Sequence, residues 1–188
     1  MNPPTGPAIR EATDADFPII AALARRIWQA CFGDMISPGQ IEYMLGIRYT
    51  PEGMLAATAE GRMTYLLAEF DGTPAGFAAD GPGASPGEWK LHQIYVIPER
   101  QRAGVGRALM GAVAERARRH GAMTIALTVN RRNERARRIY ERAGFTIREA
   151  KVFDIGGGFV MDDYVMAKPL TPESPAIPST APAPGHGG

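Results

Sequence analysis

The segment from Glu88 to Gly121 constrains this chain more than any other. It opens with EWKLHQIYVI, a run of strand-type residues that Pro98 stops. The stretch ERQRAGVG follows, and a helix is predicted over 104–119. Val105, Ala108, Leu109, Ala112 and Val113 share its buried face, and Gly121 closes it. The next apolar run, MTIALTV at 123–129, is consistent with a buried strand. A strand that passes through a glycine-containing turn straight into a helix makes an anion site. Glycines let a ligand approach the backbone, and the unpaired amides of the helix start attract negative charge. Gln101-Arg102-Ala103-Gly104-Val105-Gly106 fits a pyrophosphate, with Arg100, Arg102 and Arg107 near enough in sequence to add charge-assisted contacts.

Two nucleotide-binding patterns fail on this loop. A dinucleotide fingerprint needs a glycine where Leu109 stands, and a P-loop needs Lys-Ser/Thr where Gly106 is followed by Arg107-Ala108. A helix entry that merely contains glycines is the plain alternative.

The flanking patterns predict a mixed α/β sheet with helices packed on it. Residues 8–11 read as a strand, and Thr13 with Asp16 as a capping-box-like helix start. The first helix runs to Cys31, with Ile19, Ile20, Leu23, Ile27 and Cys31 on one stripe. Ser37-Pro38 opens a second helix carrying Ile41, Met44 and Leu45, and Pro51 opens a third that ends near Gly61. Residues 62–70 and 75–80 form strands joined at Asp71-Gly72, and 81–87 is a Gly/Pro loop. A helix spans 133–143 and stops at Gly144; strands at 145–153 and 160–167 flank the turn Gly156-Gly157-Gly158. The folded domain is expected over 8–170, between a proline-rich start (1–7) and a Pro/Ala/Ser/Gly tail (171–188), both expected to be disordered.

At 188 residues the length suits one domain. No apolar run approaches the roughly 18 residues that span a bilayer. The N-terminus lacks the order of a secretory signal, so a cytoplasmic location without membrane association is expected. One cysteine, Cys31, leaves no internal disulfide and too few soft ligands for structural zinc; it sits on an apolar stripe, which favours packing over covalent catalysis. No metal is expected. A formal net charge of +1 argues against a dedicated nucleic-acid binder. Arg131, Arg132, Arg135, Arg137 and Arg138 read more simply as a solvated helix face.

The stretch from Leu91 to Phe145, IYVIPERQRAGVGRALM followed by LTVNRRNERARRIYERAGF, closely resembles the acetyl-CoA-binding core of the GNAT family of N-acetyltransferases. The resemblance implies the GNAT acyl-CoA N-acyltransferase fold, an α/β architecture with a mixed, mostly antiparallel central sheet and helices on both faces. It implies acetyl-CoA as cosubstrate, with the backbone of Gln101, Arg102, Ala103, Gly104, Val105 and Gly106, and Arg107, around the pyrophosphate. Ile94, Tyr95 and Val96 would pair with the pantetheine arm as if it were an added strand, and Asn130 and Asn133 would hydrogen-bond the cofactor. Asn133 also reads as a helix cap.

Tyr140 stands where the family often keeps a phenol near the thioester sulfur. A phenol with a pKa of about 10 can protonate the departing thiolate, whereas by itself Tyr140 reads as a core tyrosine. Many relatives carry a Glu base on a central strand; the corresponding places here are His92 and Thr128. His92, or a water it holds, is the expected proton acceptor, with a structural strand histidine as the alternative and Glu88 as a weaker candidate.

The acceptor side of such folds is built from the N-terminal helices and the last strands. Here these bring Trp28, Phe32, Tyr43, Tyr49, Phe153 and Phe159 together with Asp34, Glu42, Asp154, Asp162 and Asp163, a composition able to hold a cationic amine, with core aromatics and solvated acids as the alternative. The layout is similar to bacterial polyamine-acetylating members, and the Asn-to-Gly-Phe segment also resembles enzymes acting on protein N-termini. The expected partner is a small amine or a protein amine, with no specific nucleic acid; many relatives form homodimers. A non-catalytic acyl-CoA-binding module is the other functional class.

Overall fold

The computed structural model describes residues 6–170; residues 1–5 of the expected N-terminal tail and the whole expected tail 171–188 lie outside them. Strand β1 (Ala8–Glu11) leads through a short 3-10 turn at Asp14–Asp16 into α1 (Phe17–Cys31), α2 (Pro38–Arg48) and α3 (Pro51–Ala59). A meander follows: β2 (Thr64–Phe70), β3 (Thr73–Pro82) and β4 (Glu88–Val96). Then come a second 3-10 turn (Pro98–Arg100), α4 (Val105–Arg119), β5 (Thr124–Asn130), α5 (Glu134–Arg142), β6 (Thr146–Gly156) and β7 (Phe159–Pro169). The seven strands form one sheet in the order β1-β2-β3-β4-β5-β7-β6. Only the central β4–β5 pair is parallel. Helix α4 supplies the crossover that a parallel pair needs.

Each face of the sheet has its own core. On one side Leu109 and Val113 of α4 pack with Leu66, Leu91 and Leu127 of the sheet and with Phe145, and Ala136 and Tyr140 of α5 pack against them. On the other α1–α3 cover Leu67, Phe77 and Ala79 with Ile20, Ile27, Trp28 and Met44. The helices on both faces and the mixed sheet are those expected.

Local chemistry starts the helices where predicted. Ser37 Oγ accepts from the Gln40 amide at 3.2 Å, and Thr50 Oγ1 accepts from the Gly53 amide at the same distance. The capping box forms: Asp16 Oδ2 accepts from the Thr13 amide at 2.8 Å and from its hydroxyl at 2.9 Å. Ile19 departs from expectation, being 39 % exposed at the edge of the α1 stripe. Strand β3 extends through Gly81 and Pro82, which shortens the predicted loop. It can do so because Gly81 has no Cβ: one there would lie 2.2 Å from the Arg62 carbonyl oxygen. Strands β6 and β7 also run beyond their predicted ends, because pairing across the hairpin holds residues without an apolar pattern.

Asp16 ties β1 to the helical layer. Arg10 donates Nη1 to its Oδ2 at 2.7 Å and Nη2 to its Oδ1 at 2.8 Å, and reaches Glu69 at 3.1 Å. The Arg10 bonds, then the Thr13 amide, hold the Asp16 carboxyl well below the usual range. A lowered folded-state pKa gives stability that is present above the unfolded pKa and lost as pH falls through the folded one. Asp16→Asn is therefore expected to lower Tm at pH 7, with the gap to wild type closing below the ordinary carboxylate range. Thermal melts at pH 7 and pH 2.5 check this.

Candidate active site

The centre of the sheet opens into a cleft. The parallel ladder joins Glu88–Leu91 to Thr124–Leu127 and then stops, although both strands continue, to Val96 and Asn130. Strand β4 stays paired to β3 through this stretch, with Ala78 opposite Ile94, Phe77 opposite Tyr95 and Gly76 opposite Val96. Its β5-facing edge is therefore free over the three residues expected to meet the pantetheine arm. Free amides and carbonyls on an edge are a template for an added strand.

The parting has a local cause. The β3–β4 register pairs Asp80 with Leu91 and Ala79 with Gln93, so His92 is the extra residue of a bulge. Bulges bend a strand and re-aim its side chains. The packing records the same slip: Leu91 and Ile94, three residues apart, both meet the α4 core, while Tyr95 and Ile97 meet the α1–α3 core.

At the mouth of the cleft the chain turns into α4. Arg102 (φ 74°) and Gly104 (φ 84°) are both left-handed, and Gly104 is the helix N-cap. Without a capping side chain, the first amides of α4 lack partners. Gly106 sits against β4, where a Cβ would lie 3.7 Å from Val96 Cγ2. Gln101 Nε2 reaches back to the Val96 carbonyl at 3.4 Å and to Cys31 Sγ at 3.9 Å, so half-buried Cys31 borders this loop. Arg102 and Arg107 are exposed and have no acidic partner among the described residues. Arg100 is committed elsewhere, over the Phe70 ring at 4.4 Å. Free helix-start amides, two uncommitted guanidinium groups and an open strand edge suit the pyrophosphate and amide-bearing arm of coenzyme A.

The β5–α5 turn flanks the cleft. Asn130 Oδ1 accepts from the Arg132 amide and Asn133 Oδ1 from the Ala136 amide, both at 3.0 Å. Both asparagines are thus local caps, with their amide NH2 groups left to donate. Tyr140, on α5, meets Phe145 edge-on at 5.9 Å. Its hydroxyl has no hydrogen-bond partner among the described residues. Burial, and then Tyr95 nearby, raises its pKa well above the phenol range, so it holds its proton throughout neutral pH.

A family model described as the acetyltransferase (GNAT) family matches residues 23–145. The chain belongs to the GNAT family. An uncharacterised N-acetyltransferase of Mycobacterium tuberculosis is 30 % identical over 158 residues, covering 84 % of this chain and 99 % of that protein. The mycothiol acetyltransferase of Acidimicrobium ferrooxidans is 40 % identical over 86 residues, but these are 44 % of this chain and 28 % of that one. Among solved structures, the PaiA N-acetyltransferase of Thermoplasma acidophilum, in complex with coenzyme A, superposes with a TM-score of 0.72. It is 24 % identical over 88 % of this chain and 99 % of its own. The ribosomal-protein-S18-alanine N-acetyltransferase of Escherichia coli gives a TM-score of 0.66 at 21 % identity, over 91 % and 98 %. This GNAT-type N-acetyltransferase thus has the sheet and helices that the resemblance implied.

On the side expected to receive the acceptor, an aromatic cluster joins the helices to β4. Trp28 stacks on Phe32 at 4.8 Å and lies 6.0 Å from both Tyr49 and Tyr95. The α1–α2 loop is held over the end of β5: Arg132 donates to the Met35 carbonyl at 2.7 Å and to the Asp34 carbonyl at 3.0 Å. The β6–β7 hairpin closes against α2, where Gln40 Nε2 donates to the Val160 carbonyl at 2.8 Å and Tyr43 OH to the Ile155 carbonyl at 2.9 Å. Of the predicted acids, Glu42 pairs with Arg25 at 2.9 Å and Asp162 with Arg131 at 3.3 Å, both on the surface. Asp163 is buried. Glu88 is bound to Arg148 at 2.6 Å. The arginines of α5 are largely spent within the helix, as Arg137–Glu141 and Arg138–Glu134 pairs. His120 caps α4 and stacks on Trp89 at 4.6 Å, outside the cleft.

His92 is half-buried, and its Nε2 has no partner among the described residues. Burial, then Lys90, Arg48 and Arg62, lowers its pKa to about 4, so the ring is neutral at pH 7. Lys90 and Arg48 were not anticipated as neighbours of the site. Arg48 ends α2 far away in sequence, and nothing in a linear pattern brings it to β4. Among the described residues no helix is long and apolar enough to cross a membrane.

Proposed function

We propose that this enzyme transfers the acetyl group of acetyl-CoA to a primary amine, a small polyamine-like amine or a protein amine, by direct attack within a ternary complex. The open edge of β4 beside the uncapped start of α4 is the observation that carries the reading. The amides from Gln101 to Gly106, with Arg102 and Arg107, hold the pyrophosphate. Ile94, Tyr95 and Val96 hold the pantetheine arm, and Asn130 and Asn133 donate their amide hydrogens to the cosubstrate. Acetyl-CoA supplies the thioester carbonyl. Tyr140, kept protonated by its surroundings, donates to the sulfur as the C–S bond breaks. His92, neutral at pH 7 and with its Nε2 unpartnered among the described residues, takes the proton of the incoming amine, directly or through a water it holds. Phe32 and Tyr95, the half-buried members of the aromatic cluster, favour a cationic acceptor.

Calorimetry with acetyl-CoA, followed by thiol release with a panel of primary amines, tests this reading. Binding with amine-dependent release is expected. Binding without release on any amine would favour the non-catalytic acyl-CoA-binding class, and absence of binding would remove both. Gly104→Val is expected to weaken acetyl-CoA binding about 10-fold. A β-branched residue relaxes away from positive φ, and restoring the bound shape costs about 1–2 kcal/mol.

A further inference from the structure

Helices α1–α3 do not take up the whole of their side of the sheet. Their core draws its sheet residues from β2, β3 and β4, Leu67, Phe77 and Ala79 among them, and reaches β6 at Ile155. Strands β5 and β7 turn Ile125, Leu127, Val129 and Met166 to the α4 side. Side chains alternate along a strand. Ala126 and Thr128, paired with Ala167 and Val165, therefore face the α1–α3 side. Among the described residues these four belong to neither core. They form a floor of small side chains beside the helical layer, where the sheet parts.

Charged groups stand around this floor. Trp89 and Leu91 meet the α4 core, so Lys90, paired with Ala126, faces the floor side. Arg48 ends α2. Tyr49 beside it anchors that end over the sheet, its ring 5.9 Å from Phe77 and 6.5 Å from Tyr95. Asp163, opposite Asn130, is on the same face, and Lys151 opposite it on β6 lies over the Phe153 ring at 5.3 Å. Glu88 is spent on Arg148, and Arg62 on Glu60.

Lys90 is half-buried, yet neither it nor Arg48 is in an ion pair or side-chain hydrogen bond among the described residues. Burial, and then Arg48, lowers the Lys90 pKa, against Glu88 and Asp163, which raise it. Two cations are thus held near each other where burial opposes the charge of one of them. A single carboxylate, Asp163, faces both, and it pairs with neither. An anion brought by a ligand would complete the group.

We infer that Lys90 and Arg48 bind an oxyanion carried by the acceptor, so that the preferred substrate is an amine bearing a carboxylate or phosphoryl group rather than a polyamine. The inference rests on the acetyl-transfer reading and narrows it. The planar guanidinium of Arg48 matches two oxygens of such a group, and the Lys90 ammonium adds a point charge. The oxyanion lies in the row of Lys90, Ala126 and Ala167, one step before the ladder ends at Leu91 and Leu127. The amine then points along the floor into the cleft. A polyamine would instead set a second positive charge against two of the same sign.

The test compares amines that differ only in the anion: ornithine against putrescine, and β-alanine and 2-aminoethylphosphonate against ethylamine. Each is titrated by calorimetry into the protein saturated with CoA, and assayed by thiol release from acetyl-CoA. The wild type is expected to favour the oxyanion-bearing member at least about 10-fold in Kd and in KM. The stronger of the carboxylate and the phosphonate names the source of the oxyanion. Lys90→Met and Arg48→Met should each raise KM for β-alanine about 10-fold more than KM for ethylamine, and Lys90→Arg should keep most of the preference. If the Met variants do not fold, the wild-type preference carries the test. Equal affinity within each set, a preference for putrescine and ethylamine, or a loss of CoA affinity in the Met variants in place of the acceptor effect would overturn the assignment. Selective binding without thiol release on any amine would keep the subsite and remove the acetyl-transfer reading beneath it; release without selectivity would do the reverse.

Discussion

Tyr140→Phe is expected to slow acetyl transfer about 10²- to 10³-fold while acetyl-CoA binds as in wild type. The substitution keeps the ring, and with it the 5.9 Å edge contact to Phe145. It removes only a hydroxyl that bonds to no other described residue, so folding should change little. What is lost is a proton donor whose environment opposes ionisation. Without it the sulfur must leave as a thiolate inside a partly buried cleft, and an unpaired charge there is costly. The loss should therefore fall on kcat, with KM for acetyl-CoA preserved. It should grow with poorer leaving groups and shrink with an acetyl thioester of a more acidic thiol. Steady-state kinetics with two such thioesters, beside calorimetry, make the measurement. Equal rates for wild type and variant would leave Tyr140 as a packing residue.

The second large effect concerns the floor of the site. Phe77 is fully buried, with its ring 5.9 Å from Tyr49 and 5.5 Å from Tyr95. It pairs with Tyr95 across β3 and β4, on the stretch of β4 whose other edge is free. Phe77→Ala is expected to cost about 3–5 kcal/mol of stability, from lost burial and the cavity left behind. The aromatic cluster would also lose its support, so acceptor KM should rise more than acetyl-CoA affinity falls. Urea unfolding gives the first quantity and kinetics on the folded fraction the second. Phe77→Leu, which retains most of the volume, should lose about half as much stability or less.

These effects bear on how much could be read before folding. The shape of the loop before α4 was legible because its physics is local. A strand, two glycines and a helix start lie within a dozen residues, and each dictates backbone shape over a few neighbours. The helix caps at Ser37 and Asn133 were legible for the same reason: each side chain bonds an amide three residues on. Tyr140 was singled out only by its place in a longer resemblance, since its own helix pattern suggested a core residue.

The side expected to receive the acceptor resisted because its residues are assembled across the chain. Aromatic and acidic residues could be named, but not sorted. Folding sent Glu42 and Asp162 to surface ion pairs and buried Asp163, its neighbour in sequence. Sheet pairing alone put them on opposite faces, because successive side chains alternate. The alternation of Asp163, Val165 and Ala167 along β7 was a usable hint, but which face the helices would cover was not. His92 shows the same limit. Its residue type suggested a group titrating near neutrality, whereas burial beside Lys90 and Arg48 keeps it neutral.

By itself, then, the sequence determined the order of elements, the glycine-containing turn into α4 and the family. These follow from short-range backbone preferences and a contiguous motif. Only the tertiary structure decided where the sheet parts, through a one-residue bulge at His92 set by pairing with β3. It also decided which charges meet in the cleft. Burial and distance fix the state of a titratable group, and both are properties of segments that lie far apart along the chain.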